Sequence, residues 1–371
     1  MNLQKRVVVW SLMLFGMCLI LHAQDPSFTQ YFSAPMYLNP ALTGFEGGTS
    51  IHLNHRDQWF WVGERPTKFY TEAFGADVEL GCINSAIGIT YMHNVEGAGR
   101  YRWQSGGLSF ARKFGGRNAY GDWELSLGLR MTYNRRTLHW DRFIFSDQLD
   151  PVHGVVRATD LAFPTDNITE SQFTDLDFGA TVYQESKRHN SLVAGFAVNH
   201  IAQINNSIQN INDTLPLRGT IHVAYAYRFS QNRSYYFIPT LKLETQRSAS
   251  AQSFGEFFSQ GFFYRSILIG SGFDFQYKSS IWGGVWFHRR GLKKTNTNSL
   301  IVMIGGELGE FVRQAKVANR YRIGLSYDMP ISGIRSDGGG SWEVSLSANF
   351  SELSLFNCRC LINPFSRPKF R

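Results

Sequence analysis

Three sets of side chains in this 371-residue chain are of types that do chemistry. Ten histidines and many serines raise hydrolysis, yet there is no Gly-x-Ser-x-Gly elbow, His-Glu-x-x-His pair or phosphate loop. Cys82, Cys358 and Cys360 raise disulfide or metal chemistry, but neither Cys nor His recurs at the spacings of a four-ligand zinc site. A bond from Cys82 to one of the tail cysteines, a bond within the tail and three unlinked thiols all remain open. Asp141, Asp147, Asp150, Asp160 and Asp166 raise calcium, whose hard ion takes oxygen ligands. Their spacing is not that of an EF-hand loop, and they read as solvated acids. No catalytic residue, metal ligand or cofactor is assigned.

The elements that would position such groups follow from composition and period. Hydrophobic residues make up 43% of the chain, charged residues only 18% and aromatics 15%, with 35 Gly and 11 Pro. That mixture excludes disorder and suits pleated strands and tight turns. Lys5 and Arg6, the apolar stretch Val7 to Leu21 and the small Ala23 read as a secretory signal over residues 1–23. Cys18 follows Met17, which argues against lipidation. With Lys5 and Arg6 removed, 35 basic residues face 29 acidic, a balance of +6. No nucleic-acid-binding module accompanies it, so no nucleic-acid partner is expected.

Beyond the signal no apolar run reaches the ~18–20 residues of a spanning helix. Strict alternation is found instead. Trp123, Leu125, Leu127, Leu129, Met131 and Tyr133 alternate with Glu124, Ser126, Gly128, Arg130 and Thr132. Leu176 to Val182, Ile221 to Phe229, Tyr321 to Tyr327 and Trp342 to Phe350 repeat the pattern. The better segments match the ~9–11 residues of a tilted membrane-crossing strand. Their polar faces carry Arg130, Asp175, Asp177, Lys242 and Arg322, which a dry core rejects and a wet or plugged lumen accepts. The pattern therefore predicts an all-β, transmembrane antiparallel β-barrel of outer-membrane type with about 14 strands, spanning 49–350. An even strand count puts both ends, 24–48 and the tail 351–371, on the periplasmic side, and makes the long connection 137–172 extracellular. His222 and Asp175 fall on inward faces as candidate neighbours in the wall. They read as ordinary lumen charges, and the protein as not an enzyme.

The segment Gln24-Asp-Pro-Ser-Phe-Thr-Gln-Tyr-Phe-Ser-Ala-Pro-Met-Tyr-Leu-Asn-Pro-Ala-Leu-Thr-Gly44 resembles the opening of the PorP/SprF family of Bacteroidetes outer-membrane proteins. His139-Trp-Asp-Arg-Phe-Ile-Phe-Ser-Asp-Gln-Leu-Asp-Pro151, Arg322-Ile-Gly-Leu-Ser-Tyr-Asp328 and Gly338-Gly-Gly-Ser-Trp-Glu-Val-Ser-Leu346 agree in the same order. The family usually has His before that last Glu, where this chain has Trp342, so no imidazole role carries over there. The resemblance implies a fourteen-stranded barrel of the cell outer membrane in the type IX secretion and gliding motility machinery. It implies partners in the lipid bilayer, in periplasmic ring or peptidoglycan-linked components, and in a secreted adhesin-like protein. A porin-like passive channel for small solutes is the alternative.

Two stretches are candidate partner contacts. In the first, Asn39 and Pro40 read locally as an N-cap and first helical turn. Functionally the same stretch is a periplasmic segment that plugs the lumen or docks on the machinery, with Tyr31, Phe32, Tyr37 and Leu38 as anchors. The second is the long loop, where Trp140, Phe143, Ile144 and Phe145 favour a folded structure that touches an exported partner.

Overall fold

A computed structural model of the chain describes residues 25–59, 68–97, 99–117, 121–150, 152–159, 168–187, 190–204, 215–229, 235–247, 265–277, 280–290, 298–307, 319–331 and 338–350. Fourteen antiparallel strands close into a barrel. In chain order they are β1 (Thr49–Gln58), β2 (Lys68–Leu80), β3 (Ser85–Gly97), β4 (Tyr101–Arg117), β5 (Gly121–His139), β6 (Ile168–Ser186) and β7 (Ser191–Asn199). The second half comprises β8 (Arg218–Arg228), β9 (Tyr235–Arg247), β10 (Arg265–Tyr277), β11 (Ile281–Arg290), β12 (Asn298–Glu307), β13 (Asn319–Pro330) and β14 (Ser341–Phe350). Each strand pairs with its neighbours in sequence, and β1 pairs with β14 from Thr49 against Phe350 to Gln58 against Ser341. Closure leaves no sheet edge, as a strand structure in lipid requires. Among the described residues no helix is long and apolar enough to cross a membrane.

The faces are inverted relative to a soluble sandwich. On β5, Leu129 and Met131 are 49% and 59% exposed, while Arg130 between them is 5% exposed. The same reversal holds on β6, where Leu176 and Val182 face out and Asp175, Asp177 and Thr181 are buried. Apolar side chains thus form the outer band and polar ones line the lumen.

β5 and β6 are 19 residues each, well beyond the ~9–11 needed to cross. β5 continues past Tyr133 to His139, and β6 begins at Ile168, so the strands take up both ends of the 137–172 connection expected from sequence. What remains is folded where described. Trp140 donates its indole N–H to Thr169 Oγ1 at 2.6 Å, the Phe143 ring packs at a tilt against both Trp140 and Phe145, and a short ladder joins Leu149–Asp150 to Gly154–Val155. Asp150 accepts the backbone N–H groups of Val152 and His153, and Asp147 accepts from Thr159. These two acids are turn-formers here. Asp160 and Asp166 lie outside the described residues, as does the side chain of Asp141.

Residues 25–48 do not hang below the barrel. They fold inside it as a plug: a 3-10 turn (Tyr31–Ser33), a single helical turn α1 (Pro35–Leu38) and a second 3-10 turn (Pro40–Leu42), each apolar turn opened by proline where a proline is available. Thr29, Gln30, Asn39 and Thr43 are completely buried.

Since Leu129 sits mid-strand on the outer band, Leu129→Arg puts a charge in lipid and should cost about 2–4 kcal/mol. Arg130→Leu places no charge there. Urea unfolding after reconstitution into bilayers is the check: an unchanged Leu129→Arg midpoint would place that face away from lipid.

Candidate functional site

The plug and the lumen wall it touches form one connected polar site. Its first anchor stands at the barrel seam. Arg56 on β1 and Glu343 on β14 are register partners, and the guanidinium lies 3.3 Å from Glu343 and 2.6 Å from Asp328 on β13. Glu343 accepts the backbone N–H of Thr29 at 2.7 Å and of Gln30 at 3.1 Å. The Thr29 hydroxyl bridges Asp328 and Arg56, and the Gln30 amide donates to Ser326 Oγ and accepts from Ser345 Oγ. Two carboxylates thus share one guanidinium and the plug's own donors.

The second anchor lies across the lumen. Asp25 meets His200 Nε2 at 2.6 Å and Arg218 at 3.1 Å, while His200 Nδ1 bonds Asp175. The His200 backbone N–H and Arg130 both donate to Asp177, and Arg130 also donates to the Met36 carbonyl at 2.7 Å. Burial opposes the charged form of His200, but the two carboxylates overcome it and raise its pKa to about 9. Burial likewise opposes ionised Asp25, yet His200 and Arg218 hold it well below the usual carboxylate range. Burial pushes the Tyr37 hydroxyl up to about 12, and that hydroxyl donates to the Pro26 carbonyl at 2.5 Å.

The third anchor is Asn39. Its side-chain oxygen accepts from Ala41 N–H at 2.9 Å, capping the turn opened by Pro40. Its amide nitrogen donates into the wall, with Ala180 O, Thr181 Oγ1, Phe196 O and His222 Nε2 at 3.1–3.2 Å. The approach is close enough that a Cβ at Gly128 would collide with Pro40 and Ala41, and one at Gly179 with the Asn39 side chain. Those two inward glycines make room for the plug. Beyond it, Gly44 N–H bonds Asp77, Lys113 bonds the Gly44 carbonyl, and Arg322 joins Glu46 to Glu307.

Apolar plug residues face the opposite stretch of wall. Tyr31, Leu38 and Leu42 form a buried cluster with Trp286, Ile301 and Met303, flanked by Phe45 and Trp282.

The sequence-selected residues therefore divide. Tyr31, Tyr37, Leu38, Asn39 and Pro40 are turned into the lumen, Phe32 is 40% exposed within it, and Trp140, Phe143 and Phe145 form the separate loop cluster. Asp175 and His222, expected as neighbours, are not brought together: Asp175 pairs with His200 and His222 with Asn39. Cys82 lies in the 3-10 turn after β2 and is disulfide-bonded, whereas Cys358 and Cys360 lie outside the described residues. Sequence reasoning missed Asp25, Arg56, His200, Arg218 and Asp328. The inward alternation flags Arg56 and Asp328, but nothing local pairs them.

Asp175, Asp177 and His200 bring three metal-type donor atoms within 4.8 Å of one another. The charges there are already matched by Arg130 and by the His200–Asp25 contact, so the donors are engaged in ion pairs. Both His200 nitrogens meet carboxylates, and among the described residues no hydroxyl is set on that ring as a hydrolase nucleophile would be.

A model of the family described as type IX secretion system membrane protein PorP/SprF matches residues 20–348. No curated protein sequence matches the chain. Solved structures similar to it include a Pseudomonas aeruginosa FadL homologue, 11% identical, covering 84% of this chain and 92% of that one at a TM-score of 0.45. The Ralstonia pickettii toluene transporter TbuX is 10% identical over 86% and 94% of the two chains, TM-score 0.46. BamA from Haemophilus ducreyi is 9% identical over 81% and 70%, TM-score 0.38.

Two predictions follow from the anchors. Arg56→Ala leaves Glu343 and Asp328 buried without their cation and should destabilise by about 3–5 kcal/mol. Adding Glu343→Gln and Asp328→Asn should restore most of the loss in the same urea titration. The second concerns pH. His200 is raised in the folded state, so its contribution is full below its unfolded value near 6.5 and fades as pH climbs through about 9. Asp25 is depressed, so its contribution is full above its unfolded value near 3.8 and fades in acid. Hydrogen exchange of residues 25–30, read by mass spectrometry, should therefore quicken above pH 9 beyond the intrinsic base-catalysed rate, and His200→Ala should abolish that excess.

Proposed function

Because the chain belongs to the PorP/SprF family of type IX secretion system membrane proteins and folds as an outer-membrane β-barrel, we propose that it is a plugged, non-enzymatic scaffold of that machinery. On this reading it links periplasmic ring or peptidoglycan-linked components to the export or surface attachment of one secreted adhesin-like protein, in the service of secretion and gliding. The observation that supports it is the plug. The first described residues occupy much of the lumen with buried charge pairs and capped turns, which suits a fixed platform better than an open channel.

The two ends of the barrel then have different tasks. An even strand number leaves the first and last strands opening on one side of the barrel; on this reading that side is periplasmic, and the short turns and the Cys82 loop meet the energised machinery there. The Cys82 disulfide is read as running to a tail cysteine, tying the tail beneath the barrel. The long strands β5 and β6 carry Trp140, Phe143 and Phe145 at the end that this reading makes extracellular, where their packed rings offer a contact for the exported partner. Tyr31, Tyr37, Leu38, Asn39 and Pro40 act on this reading as anchors of the plug.

Planar-bilayer recording should find little steady current through the full-length protein and a large rise after residues 25–43 are deleted. Secretion machinery and an adhesin-like protein should co-purify in mild detergent with the full chain, and less with the deletion. Steady conductance by the intact protein would favour the porin-like channel instead.

A further inference from the structure

The plug does not fill the whole lumen. A chamber of about 220 Å³ lies between its apolar side and the wall. Its boundaries include Tyr31, Phe32, Trp282, Ile238 and Ala224. The aromatic side is ordered edge to face: Tyr31 stands 5.3 Å from Trp286 at 74°, and Phe32 5.6 Å from Trp282 at 78°. Phe32 keeps 40% of its surface free although it belongs to the plug. Aromatic rings left partly uncovered around a space of this size provide an apolar wall and negative ring faces.

One carboxylate at this chamber has no basic side chain within ion-pair distance among the described residues. Glu46 and Glu307 both hold Arg322 at 2.8 Å, and Asp77 accepts Gly44 N–H at 2.5 Å with His52 3.6 Å away. Asp274, inward on β10 and opposite Ile238 on β9, is 8% exposed. Its Oδ1 accepts the Trp286 indole N–H at 3.1 Å, and its Oδ2 has no partner among the described residues. Among the described residues neither oxygen is paired with a Lys or Arg. A carboxylate nine-tenths buried at membrane depth, with one oxygen unengaged and an aromatic cavity before it, marks a place for a positive charge.

We propose that this chamber is a binding site for a hydrophobic organic cation, an ammonium or guanidinium group carried on an apolar body. The charge sits on Asp274 Oδ2 and the body lies between the rings of Phe32, Trp282 and Tyr31. Such chemistry comes either as a free amine or as a Lys or Arg side chain next to an aromatic residue on a peptide. The inference does not depend on the scaffold reading, because a porin-like barrel with the same chamber would bind the same probes.

The full-length protein in detergent would be titrated with phenethylammonium, neutral ethylbenzene, the anion 3-phenylpropionate and the peptide acetyl-Phe-Arg-amide, following tryptophan fluorescence and heat. Phenethylammonium or the peptide should bind about tenfold or more tighter than the neutral and anionic probes. Binding of the amine alone assigns free amines as the source, of the peptide alone assigns protein side chains, and binding of both supports the shared site. Asp274→Asn, which retains an acceptor for Trp286, should remove that preference while leaving ethylbenzene binding within about twofold. Ala224→Phe should displace every probe and stands in if Asp274→Asn does not fold. Equal binding of cation, neutral and anion, no binding of either cation, or cation binding untouched by both variants would overturn the proposal.

Discussion

The structure depends on one carboxylate at the place where the sheet closes. Glu343 belongs to the last strand, its register partner Arg56 to the first, and the two are joined directly across the seam. The same carboxylate holds two consecutive backbone N–H groups of the plug. Barrel closure and plug seating are therefore one event energetically, since neither a missing β1 nor a withdrawn plug leaves Glu343 with its full set of partners. The short connection from Thr43 through Gly44, Gly47 and Gly48 into β1 makes the coupling tight. All three glycines adopt positive φ, which turns the chain from the lumen interior onto the wall within a few residues.

From that seam the plug crosses to the far wall, where a different kind of contact takes over. Thr29 is held by β13, β14 and β1, Asn39 by β6, β7 and β8, and Asp25 by the His200 and Arg218 side chains. Between the polar anchors the rings and leucines of the plug meet Trp286, Ile301 and Met303, so one part of the lumen behaves as a small apolar core. The wall is thus asymmetric: the strands from β5 to β8 offer hydrogen bonds and glycine clearance, while β11 and β12 offer apolar surface. A segment with Asn39 and Pro40 on one side and Tyr31 and Leu42 on the other fits that asymmetry in only one orientation.

Much of this was readable from local pattern. Period two identified the outward face of β5 and β6 and the inward placement of Arg130, Asp175 and Asp177, because lipid and lumen impose opposite demands on adjacent positions. Asn39 as a cap was equally readable, since its bond to Ala41 spans two residues. The partners of those groups were not readable. Asn39 reaches Ala180 and His222, 141 and 183 positions away, and Asp25 reaches His200 across 175. Such pairings are set by strand order, shear and where the plug enters, none of which leaves a local trace. His200 was missed for a related reason: it ends the weakly alternating stretch Leu192 to His200, and nothing local marks it as the partner of Asp25 and Asp175.

The energetics of the plug bear on which kinds of traffic the barrel permits. Withdrawing residues 25–43 would separate Asp25 from His200 and Arg218, uncover the Glu343 and Asp328 carboxylates beside a lone Arg56, and strip the wall of the Asn39 amide. Breaking a buried ion pair one-sidedly costs about 3–5 kcal/mol, and several would break together. Water entering the opened lumen would recover part of that cost, but not the apolar contacts of Tyr31, Leu38 and Leu42. A barrel built to conduct continuously gains nothing from such a closure, whereas one that must present fixed surfaces at both membrane faces gains rigidity from it. On the scaffold reading, the filled part of the lumen serves to keep the barrel rim in place.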